Sequence, residues 1–215
     1  MTEPDDVTET RTAYDIVAED YAALLRDDLA GSAYDRAMLD LFAERVAGSG
    51  GGLVGDLGCG PGRIAGYLAE RWMDVVGVDL SPGMVEVARR DHPGLRFEVG
   101  SMSALPFRDG ELAGALAWYS IIHTPDERQD ALFVEFARVT RPGGALLLAF
   151  QAGEDVVHLT HAYGHDIDLR TRRQNPERVK RRLADAGFGP AAEFITQPVP
   201  PQKSPQAYVL AIRQT

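Results

Sequence analysis

Three glycines closely follow a carboxylate in the run Asp56-Leu-Gly-Cys-Gly-Pro-Gly62. The glycines, Gly58, Gly60 and Gly62, let the backbone turn sharply and approach a ligand without side-chain clash. Asp79 ends the next predicted strand, where a carboxylate can accept hydrogen bonds from both hydroxyls of a ribose. The spacing therefore predicts a site for an adenosine-containing cofactor.

Charge separates the two main cofactor candidates. A dinucleotide carries a pyrophosphate, which binds bare N–H groups and is repelled by a nearby anion such as Asp56. S-adenosylmethionine carries an ammonium and a sulfonium, which Asp56 would attract. The glycines also depart from the G-x-G-x-x-G fingerprint, since its last position falls on Arg63. These residues favour S-adenosylmethionine and leave a dinucleotide as the alternative.

A candidate general base follows the fourth predicted strand, in the segment Trp118-Tyr-Ser-Ile-Ile-His-Thr-Pro125. His123 is that candidate because the ordinary pKa of imidazole lies closest to neutrality. Methyl transfer needs a base only when the acceptor is a protonated oxygen or nitrogen, and placement alone can do much of the catalysis. We expect Trp118 to border the cofactor and Tyr119 the acceptor. The alternative role for His123 is to organise the loop through backbone hydrogen bonds.

A second cluster combines histidines with aspartates: His158, His161, His165, Asp166 and Asp168. On a helix, intervals of three and four would place the histidines on one face. The composition invites a metal interpretation, but we predict no metal and expect His158 and His161 to bind the acceptor. A plain surface role is the alternative.

Two tyrosines and one arginine complete the candidates. Tyr14 and Tyr21 lie on a predicted N-terminal helix, which either packs them in the core or closes over the site as a lid that excludes water. We expect Tyr21 to contact the cofactor and Tyr14 the acceptor. Arg63, next to the glycines, either binds an anionic acceptor or pairs with a nearby carboxylate.

Predicted strands alternate with helices from Leu53 to Phe150, which is typical of a parallel sheet with helices on both faces. Two late strands, 192–196 and 207–213, are joined by a proline-rich link too short for a crossover helix, so they should pair as an antiparallel hairpin. We therefore expect one doubly wound α/β sheet of seven mostly parallel strands. Helices over 14–29 and 34–46 precede it.

The expected organisation is an N-terminal helical lid segment, residues 1–47, and a cofactor-binding domain, residues 48–215. Residues 1–12 are polar and acidic and should be frayed. Residues 152–175 interrupt the strand–helix pattern and should form an insertion at the acceptor site.

Composition narrows the class of protein. The chain has 215 residues and a formal net charge of −10, which disfavours a nucleic-acid partner. A run of cations over 170–182 is interpreted as a solvated helix face. Cys59 is the only cysteine, which excludes an intramolecular disulfide. No apolar run reaches the length of a membrane span and the start of the chain does not resemble a signal peptide, so we expect a cytoplasmic protein. We expect it to be a monomer or a homodimer.

Four motifs occur in one order: Asp56-Leu-Gly-Cys-Gly-Pro-Gly62, Val76-Gly-Val-Asp-Leu-Ser-Pro-Gly-Met84, Gly100-Ser-Met-Ser-Ala-Leu-Pro-Phe107 and Arg141-Pro-Gly-Gly144. Together they resemble the successive motifs of class I S-adenosylmethionine-dependent methyltransferases. The late strands are similar to that family's edge hairpin.

The resemblance implies that Asp56 and the Gly58–Gly62 backbone, with Cys59 between them, hold the amino-acid end of S-adenosylmethionine. Asp79 would bind the ribose. Four further residues would surround the adenine: Leu80, Met84, Ser101 and Met102. The chain departs from the family at Ser101, where an acidic residue is usual, and at Ala113, where Asp is common.

The expected function is transfer of a methyl group from S-adenosylmethionine to an oxygen or nitrogen of a small molecule, which leaves S-adenosylhomocysteine. The alternatives are methylation of carbon or of a macromolecule, and a cofactor-binding protein without transfer activity.

Overall fold

The computed structural model describes residues 4–198 and 203–215. Its helices are α1 (Asp5–Leu25), α2 (Asp28–Gly31), α3 (Ala33–Gly48), α4 (Arg63–Ala69), α5 (Pro82–Asp91), α6 (Asp126–Val139) and α7 (Pro176–Asp185). Its strands are β1 (Val54–Leu57), β2 (Val75–Asp79), β3 (Arg96–Val99), β4 (Leu112–Trp118), β5 (Thr140–Gln151), β6 (Val156–Ala162), β7 (His165–Arg172), β8 (Phe188–Ile195) and β9 (Gln206–Arg213).

Seven strands form one sheet in the order β3-β2-β1-β4-β5-β9-β8. Strands β1 to β5 pair in parallel, whereas β9 is antiparallel to both β5 and β8. The predicted fold class and the antiparallel edge hairpin are thus confirmed. The strand order reverses between β1 and β4, and open α/β sheets bind ligands beside such a reversal, at the carboxyl ends of the strands.

Alternating residues of the central strands pack into two hydrophobic layers, one on each face of the sheet. Leu146 and Leu148 of β5 join the layer that includes residues of α6 and α7. Leu147 and Ala149 join the layer that includes residues of α3, α4 and α5. Because successive side chains of a strand point to opposite faces, one strand serves both layers. This packing holds the strand ends at fixed positions.

Helix α1 begins nine residues before the expected start at Tyr14. The expectation that residues 1–12 are frayed is wrong from Asp5 onward, and residues 1–3 lie outside the described part of the chain. Asp5 and Asp6 occupy the first turn, where carboxylates interact favourably with the helix dipole. The same acidic residues that predict fraying by composition therefore stabilise the start of this helix by their position. The helix ends at Leu25 rather than near residue 29.

The histidine-rich segment forms an antiparallel hairpin, β6–β7, rather than a helix. A register shift between Leu159 and His161 interrupts the alternation of the strand. His158 and His161 are both exposed, although an odd spacing in a regular strand would place them on opposite faces. Because of this bulge, two histidines three positions apart are both exposed, as they would be on one face of a helix.

The hairpin and α5 hold α1 on the domain. Buried residues of α1, α5 and β7 form one cluster: Ala13, Val17, Ala18, Ala22, Met84, Val87, Ile167 and Leu169. Asp15 of α1 accepts hydrogen bonds from Ser81 Oγ (2.5 Å) and Gly83 N (2.9 Å) at the start of α5. Helix α1 is consequently packed between two elements that flank the carboxyl end of the sheet.

The proline-rich link between β8 and β9 lies partly outside the described residues. Within the described ranges, no helix has the length and apolar character needed to cross a membrane.

Candidate functional site

A cleft that is partly open to solvent lies at the carboxyl ends of β1, β2 and β4. Twelve of the predicted site residues line it: Tyr14, Tyr21, Gly58, Gly60, Asp79, Leu80, Met84, Ser101, Met102, Trp118, Tyr119 and His123. The topology thus brings together residues from five separate stretches of the sequence.

The glycine loop fits tightly against the loop that follows β4. Gly58 has φ +78°, and a Cβ placed there would lie 2.4 Å from Cβ of Ser120. Ser120 Oγ donates a hydrogen bond to the Leu57 carbonyl (2.7 Å) and fixes this approach. Gly62 has φ +82°, and its Cβ would lie 2.8 Å from the ring of Phe97. Both positions therefore require glycine.

Asp79 ends β2 and faces the cleft. Its Oδ2 accepts a hydrogen bond from Gly60 N (2.7 Å), and its Oδ1 accepts one from Ser81 N (2.9 Å). Burial raises the pKa of this carboxyl, and the two backbone N–H groups oppose the rise. A carboxylate has about four lone-pair positions, so Asp79 keeps acceptor capacity for a ligand.

Asp56 lies beneath the glycine loop and is fully buried. Its Oδ2 accepts a hydrogen bond from Ala65 N (3.1 Å), which ties β1 to the first turn of α4. Its Oδ1 has no hydrogen-bond partner. Burial raises the pKa of Asp56 to about 7, and the charge of Arg63 opposes that rise. Asp56 is therefore placed to act on a cation through the loop rather than as a wall of the cleft.

The wall predicted for adenine is mostly apolar. Leu80, Met84 and Met102 line it together with Ser101, whose Oγ accepts a hydrogen bond from Ser103 N (3.2 Å). Cys59 is buried behind the loop, where burial raises the pKa of its thiol. It does not line the cleft, so it packs as a small apolar residue.

His123 lies at the other end of the cleft, in the turn Ile121–His123, and is buried. Its Nδ1 is 3.3 Å from the Arg170 carbonyl, and its Nε2 is 2.9 Å from the hydroxyl of Tyr14. A carbonyl only accepts, so the ring proton resides on Nδ1 and Nε2 accepts the Tyr14 hydrogen bond. Burial lowers the pKa of His123 to about 4, which keeps the imidazole neutral.

Aromatic rings cover the space between these two ends. The ring of Tyr14 makes edge contacts with those of Tyr21 (5.7 Å between centroids) and His123 (5.3 Å). Tyr119 lies in the left-handed backbone region at φ +55°, a conformation that costs a residue with a Cβ about 1–3 kcal/mol. Trp118 lies beside it, 6.1 Å between centroids.

Three predicted acceptor residues lie outside the cleft. Arg63 borders a second groove, with Nη1 3.7 Å from Oδ2 of Asp28. The exposed His158 pairs with Asp168 (2.7 Å), and the exposed His161 pairs with Asp166 (2.9 Å). The geometry thus favours the ion-pair interpretation of Arg63 and the surface interpretation of these two histidines.

Several lining residues were absent from the sequence-based prediction: Asp6, Val7, Thr10, Ser81, Gly100, Ser103, Ser120, Thr124 and Arg128. Val7, Thr10, Tyr14 and Tyr21 recur at helical spacing on one face of α1, a signal hidden by starting that helix at Tyr14. Arg128 and Asp6, which both line the cleft, form an ion pair. Most cations of the 170–182 run are also paired with carboxylates, as Arg178 is with Asp126 and Glu154.

Comparisons with known proteins agree with this geometry. Residues 54–144 match the family described as "Methyltransferase domain". A demethylmenaquinone methyltransferase of Renibacterium salmoninarum is 32% identical over 146 residues, covering 68% of this chain and 59% of the relative. The chain spans about half the length of the curated relatives it matches.

Solved structures show the same fold. The magnesium protoporphyrin IX methyltransferase of Synechocystis with bound S-adenosylmethionine superposes with a TM-score of 0.74 at 19% identity, covering 100% of both chains. The geranyl diphosphate C-methyltransferase of Streptomyces coelicolor gives 0.62 at 16% identity, covering 83% of this chain and 78% of the other. Residues 54–144 are thus a methyltransferase domain, and the seven-stranded sheet has the fold of the class I S-adenosylmethionine-dependent methyltransferases.

Proposed function

We propose that this chain transfers the methyl group of S-adenosylmethionine to an oxygen or nitrogen of a small-molecule acceptor. One observation carries the proposal: a single cleft joins the glycine loop and Asp79 at one end to the hydrogen-bonded Tyr14–His123 pair at the other. The cleft is lined by an apolar majority with a few polar groups, as is usual for small-molecule sites.

The lining residues fit the cofactor. Asp79 keeps free acceptor positions for two ribose hydroxyls, and Leu80 and Met84 provide an apolar surface for a flat base. Asp56, beneath the loop, favours a cationic ligand over a pyrophosphate. When bound, S-adenosylmethionine would supply a methyl group that is electrophilic because it is attached to a sulfonium.

The Tyr14–His123 pair supports an acceptor that carries a proton on oxygen or nitrogen. Tyr14 donates its own proton to His123 Nε2, so the remaining lone pairs of its hydroxyl are free to accept a hydrogen bond from an acceptor O–H or N–H. This contact would orient the nucleophilic lone pair toward the methyl group. Alignment of this kind is the main catalytic requirement of a displacement.

The same pair offers a path for the proton released on transfer. The acceptor proton would move to the Tyr14 hydroxyl while the Tyr14 proton moves to His123 Nε2. Because burial disfavours a charged imidazole, the proton would leave the acceptor together with methyl transfer rather than before it. His123 would therefore accept the proton only while the acceptor lone pair forms its bond to the methyl group.

We further propose that residues 1–47 act as a lid and that the 152–175 insertion supports the acceptor site. Helix α1 contributes Tyr14 and Tyr21 to the cleft and is packed against α5 and β7. The hairpin contributes the Arg170 carbonyl, which sets the tautomer of His123. A closed lid would exclude water from the sulfonium.

The experiment incubates the protein with methyl-labelled S-adenosylmethionine and a panel of small phenols, carboxylic acids, amines and carbon nucleophiles. Label should pass to an O–H or N–H acceptor, and the same assay should respond to Tyr14→Phe. Transfer only to carbon acceptors, at a rate unchanged in Tyr14→Phe, would contradict the proposal.

A further inference from the structure

One arginine lies among the residues that line the cleft. Of the described residues on its wall, Arg128 is the single arginine or lysine, and Asp6 and Asp79 are the carboxylates. Under the proposed function, Asp79 binds the cofactor and the Tyr14–His123 pair binds the acceptor, whereas Arg128 and Asp6 have no role. Arg128 lies in the first turn of α6, five residues after His123, so it belongs to the end of the cleft away from the glycine loop.

The guanidinium of Arg128 has unused hydrogen-bond donors. A guanidinium carries five N–H groups in a planar fork. Within the described residues, only Nη2 of the Arg128 side chain makes a hydrogen bond, and it binds one oxygen of Asp6. By contrast, Arg138 on the same helix binds both oxygens of Glu135, through Nε (2.7 Å) and Nη2 (2.8 Å). The fork of Arg128 is therefore open to a bidentate partner of the same kind.

The charges around Arg128 favour an anion. Arg172 donates from Nη1 to a backbone carbonyl (3.3 Å) and forms no ion pair with a carboxylate in the described part of the chain. Burial lowers the pKa of Arg128, and the charge of Arg172 lowers it further. Arg170 of the same strand is already neutralised by Glu9 (2.6 Å). Arg128 and Arg172 together thus carry one more positive charge than Asp6 can balance.

Asp6 is a counter-ion that a ligand can displace. It is the second residue of α1, and the ends of helices fray. Its contact with Arg128 is a single hydrogen bond between side chains that are 24% and 29% exposed, and ion pairs of this kind contribute little to stability. An acid group that binds the guanidinium through two oxygens would therefore replace Asp6 with a net gain in free energy.

We infer that Arg128 binds a carboxylate of the acceptor, so that the acceptor is a small acid that also carries the oxygen or nitrogen to be methylated. The inference rests on the proposed function and adds the substrate class to it. The carboxylate would take the place of Asp6 on the guanidinium, while the second group donates its hydrogen bond to Tyr14. Two contacts of this kind would hold the acceptor in one orientation for the displacement.

The test measures transfer of labelled methyl groups to hydroxybenzoates and to aliphatic hydroxy and amino acids. Each acid is paired with its primary amide, which keeps the shape of the acid and lacks its charge, and simple phenols and amines complete the panel. The kcat and KM values would be determined for the unmodified protein and for Arg128→Gln, Arg128→Lys and Asp6→Asn. Melting temperatures would confirm that each variant is folded.

Two further variants are matched controls. Arg90→Gln removes another cation that pairs with α1, through Glu19, but Arg90 does not line the cleft. Asp5→Asn removes an exposed carboxylate from the same helical turn as Asp6. These controls separate the loss of an α1 ion pair, or of a charge near the start of the helix, from the loss of a contact with the acceptor.

The unmodified protein should methylate at least one acid with a kcat/KM about tenfold or more above that of its amide, as expected for charged hydrogen bonds. Arg128→Gln should raise the KM of that acid about 10- to 100-fold with little change in kcat, because the contact binds the acceptor before and during transfer. The KM of the amide should change less than about twofold. Arg128→Lys should recover part of the loss. Asp6→Asn should lower the KM of the acid about two- to fivefold, because a competing carboxylate is removed. Neither control should alter the preference for the acid.

Equal use of acids and amides by the unmodified protein, or a preference for amides, simple phenols or amines, would overturn the inference and leave the proposed function standing. An equal loss for acid and amide in Arg128→Gln would overturn it as well, because Arg128 would then support the fold or the lid. Transfer to no member of the panel would count against the proposed function itself, and the inference would fail with it. If Arg128→Gln did not fold, Arg128→Lys and Asp6→Asn would decide by the same comparison of acid and amide.

Discussion

The hydroxyl of Tyr14 lies 2.9 Å from Nε2 of His123, although 109 positions separate the two residues in the chain. Helix α1 carries the first and the turn after β4 carries the second. The contact therefore forms only when the N-terminal helix is packed on the domain. Under the proposed function, this contact would couple closure of the cleft to the geometry that receives an acceptor.

Removal of this contact should slow methyl transfer without loss of the cofactor. Tyr14→Phe and His123→Gln are expected to lower kcat by about 10²-fold each, toward the lower end of the effects seen for proton-transfer groups. The double variant should be little worse than either single one, because the two groups act as a unit. Steady-state kinetics would measure kcat, and calorimetry should find the dissociation constant of S-adenosylmethionine changed less than threefold. Additive losses would contradict a coupled pair.

The depressed pKa of His123 predicts a specific dependence of stability on pH. The unfolded histidine, with a pKa near 6.5, binds a proton that the folded residue resists until about pH 4. Stability should therefore fall as the pH drops through this window, by about 2 kcal/mol between pH 7.5 and pH 5. Urea unfolding at both pH values would measure this change in the free energy of unfolding for the unmodified protein and for His123→Gln. The variant should lack the part that is due to His123. An identical slope in both proteins would refute it.

Gly58 should be intolerant of a side chain for reasons beyond its backbone angle. Gly143 has nearly the same conformation, φ +77° against +78°, but nothing lies within 4 Å of a Cβ placed there. Gly143→Ala should cost about 1–3 kcal/mol of unfolding free energy from backbone strain alone. Gly58→Ala should cost more, since its Cβ meets Ser120, and should also weaken S-adenosylmethionine at least tenfold. Equal behaviour of the two variants in both measurements would show that the close approach to Ser120 is unimportant.

The hairpin histidines should be dispensable for turnover. His158 and His161 are exposed and pair with aspartates of the same hairpin, outside the cleft. Solvent-exposed ion pairs contribute little to the free energy of unfolding. His158→Gln and His161→Gln should therefore each change it by less than about 1 kcal/mol. Their kcat/KM should stay within twofold of the unmodified protein, in contrast to His123→Gln. A tenfold loss in either variant would place the acceptor on the hairpin.

The sheet, the edge hairpin and the residues around Asp79 were predictable because they depend on local pattern. Alternating strands and helices specify the order of elements, and glycines at a strand end specify a tight loop. The start of α1 was missed because Asp5 and Asp6 resemble a frayed terminus in composition while they stabilise a helix in position.

Other features depend on tertiary structure. His158 and His161 are three positions apart, a spacing typical of one helix face, and the register shift after Leu159 leaves both exposed on a strand. Periodicity alone cannot distinguish this arrangement from a helix. The Tyr14–His123 contact joins distant segments, so no local signal predicts it. The position of Arg63 outside the cleft likewise depends on tertiary structure, because Arg63 borders a groove shared with α1 and α2 and pairs there with Asp28.

The most direct test of the account is calorimetric titration of the unmodified protein and of Asp79→Asn with S-adenosylmethionine and with a nicotinamide dinucleotide. The account predicts that S-adenosylmethionine binds and the dinucleotide does not, and that Asp79→Asn weakens binding at least tenfold because the amide loses acceptor positions for the ribose hydroxyls. Preferential binding of the dinucleotide, or unchanged affinity in Asp79→Asn, would contradict it.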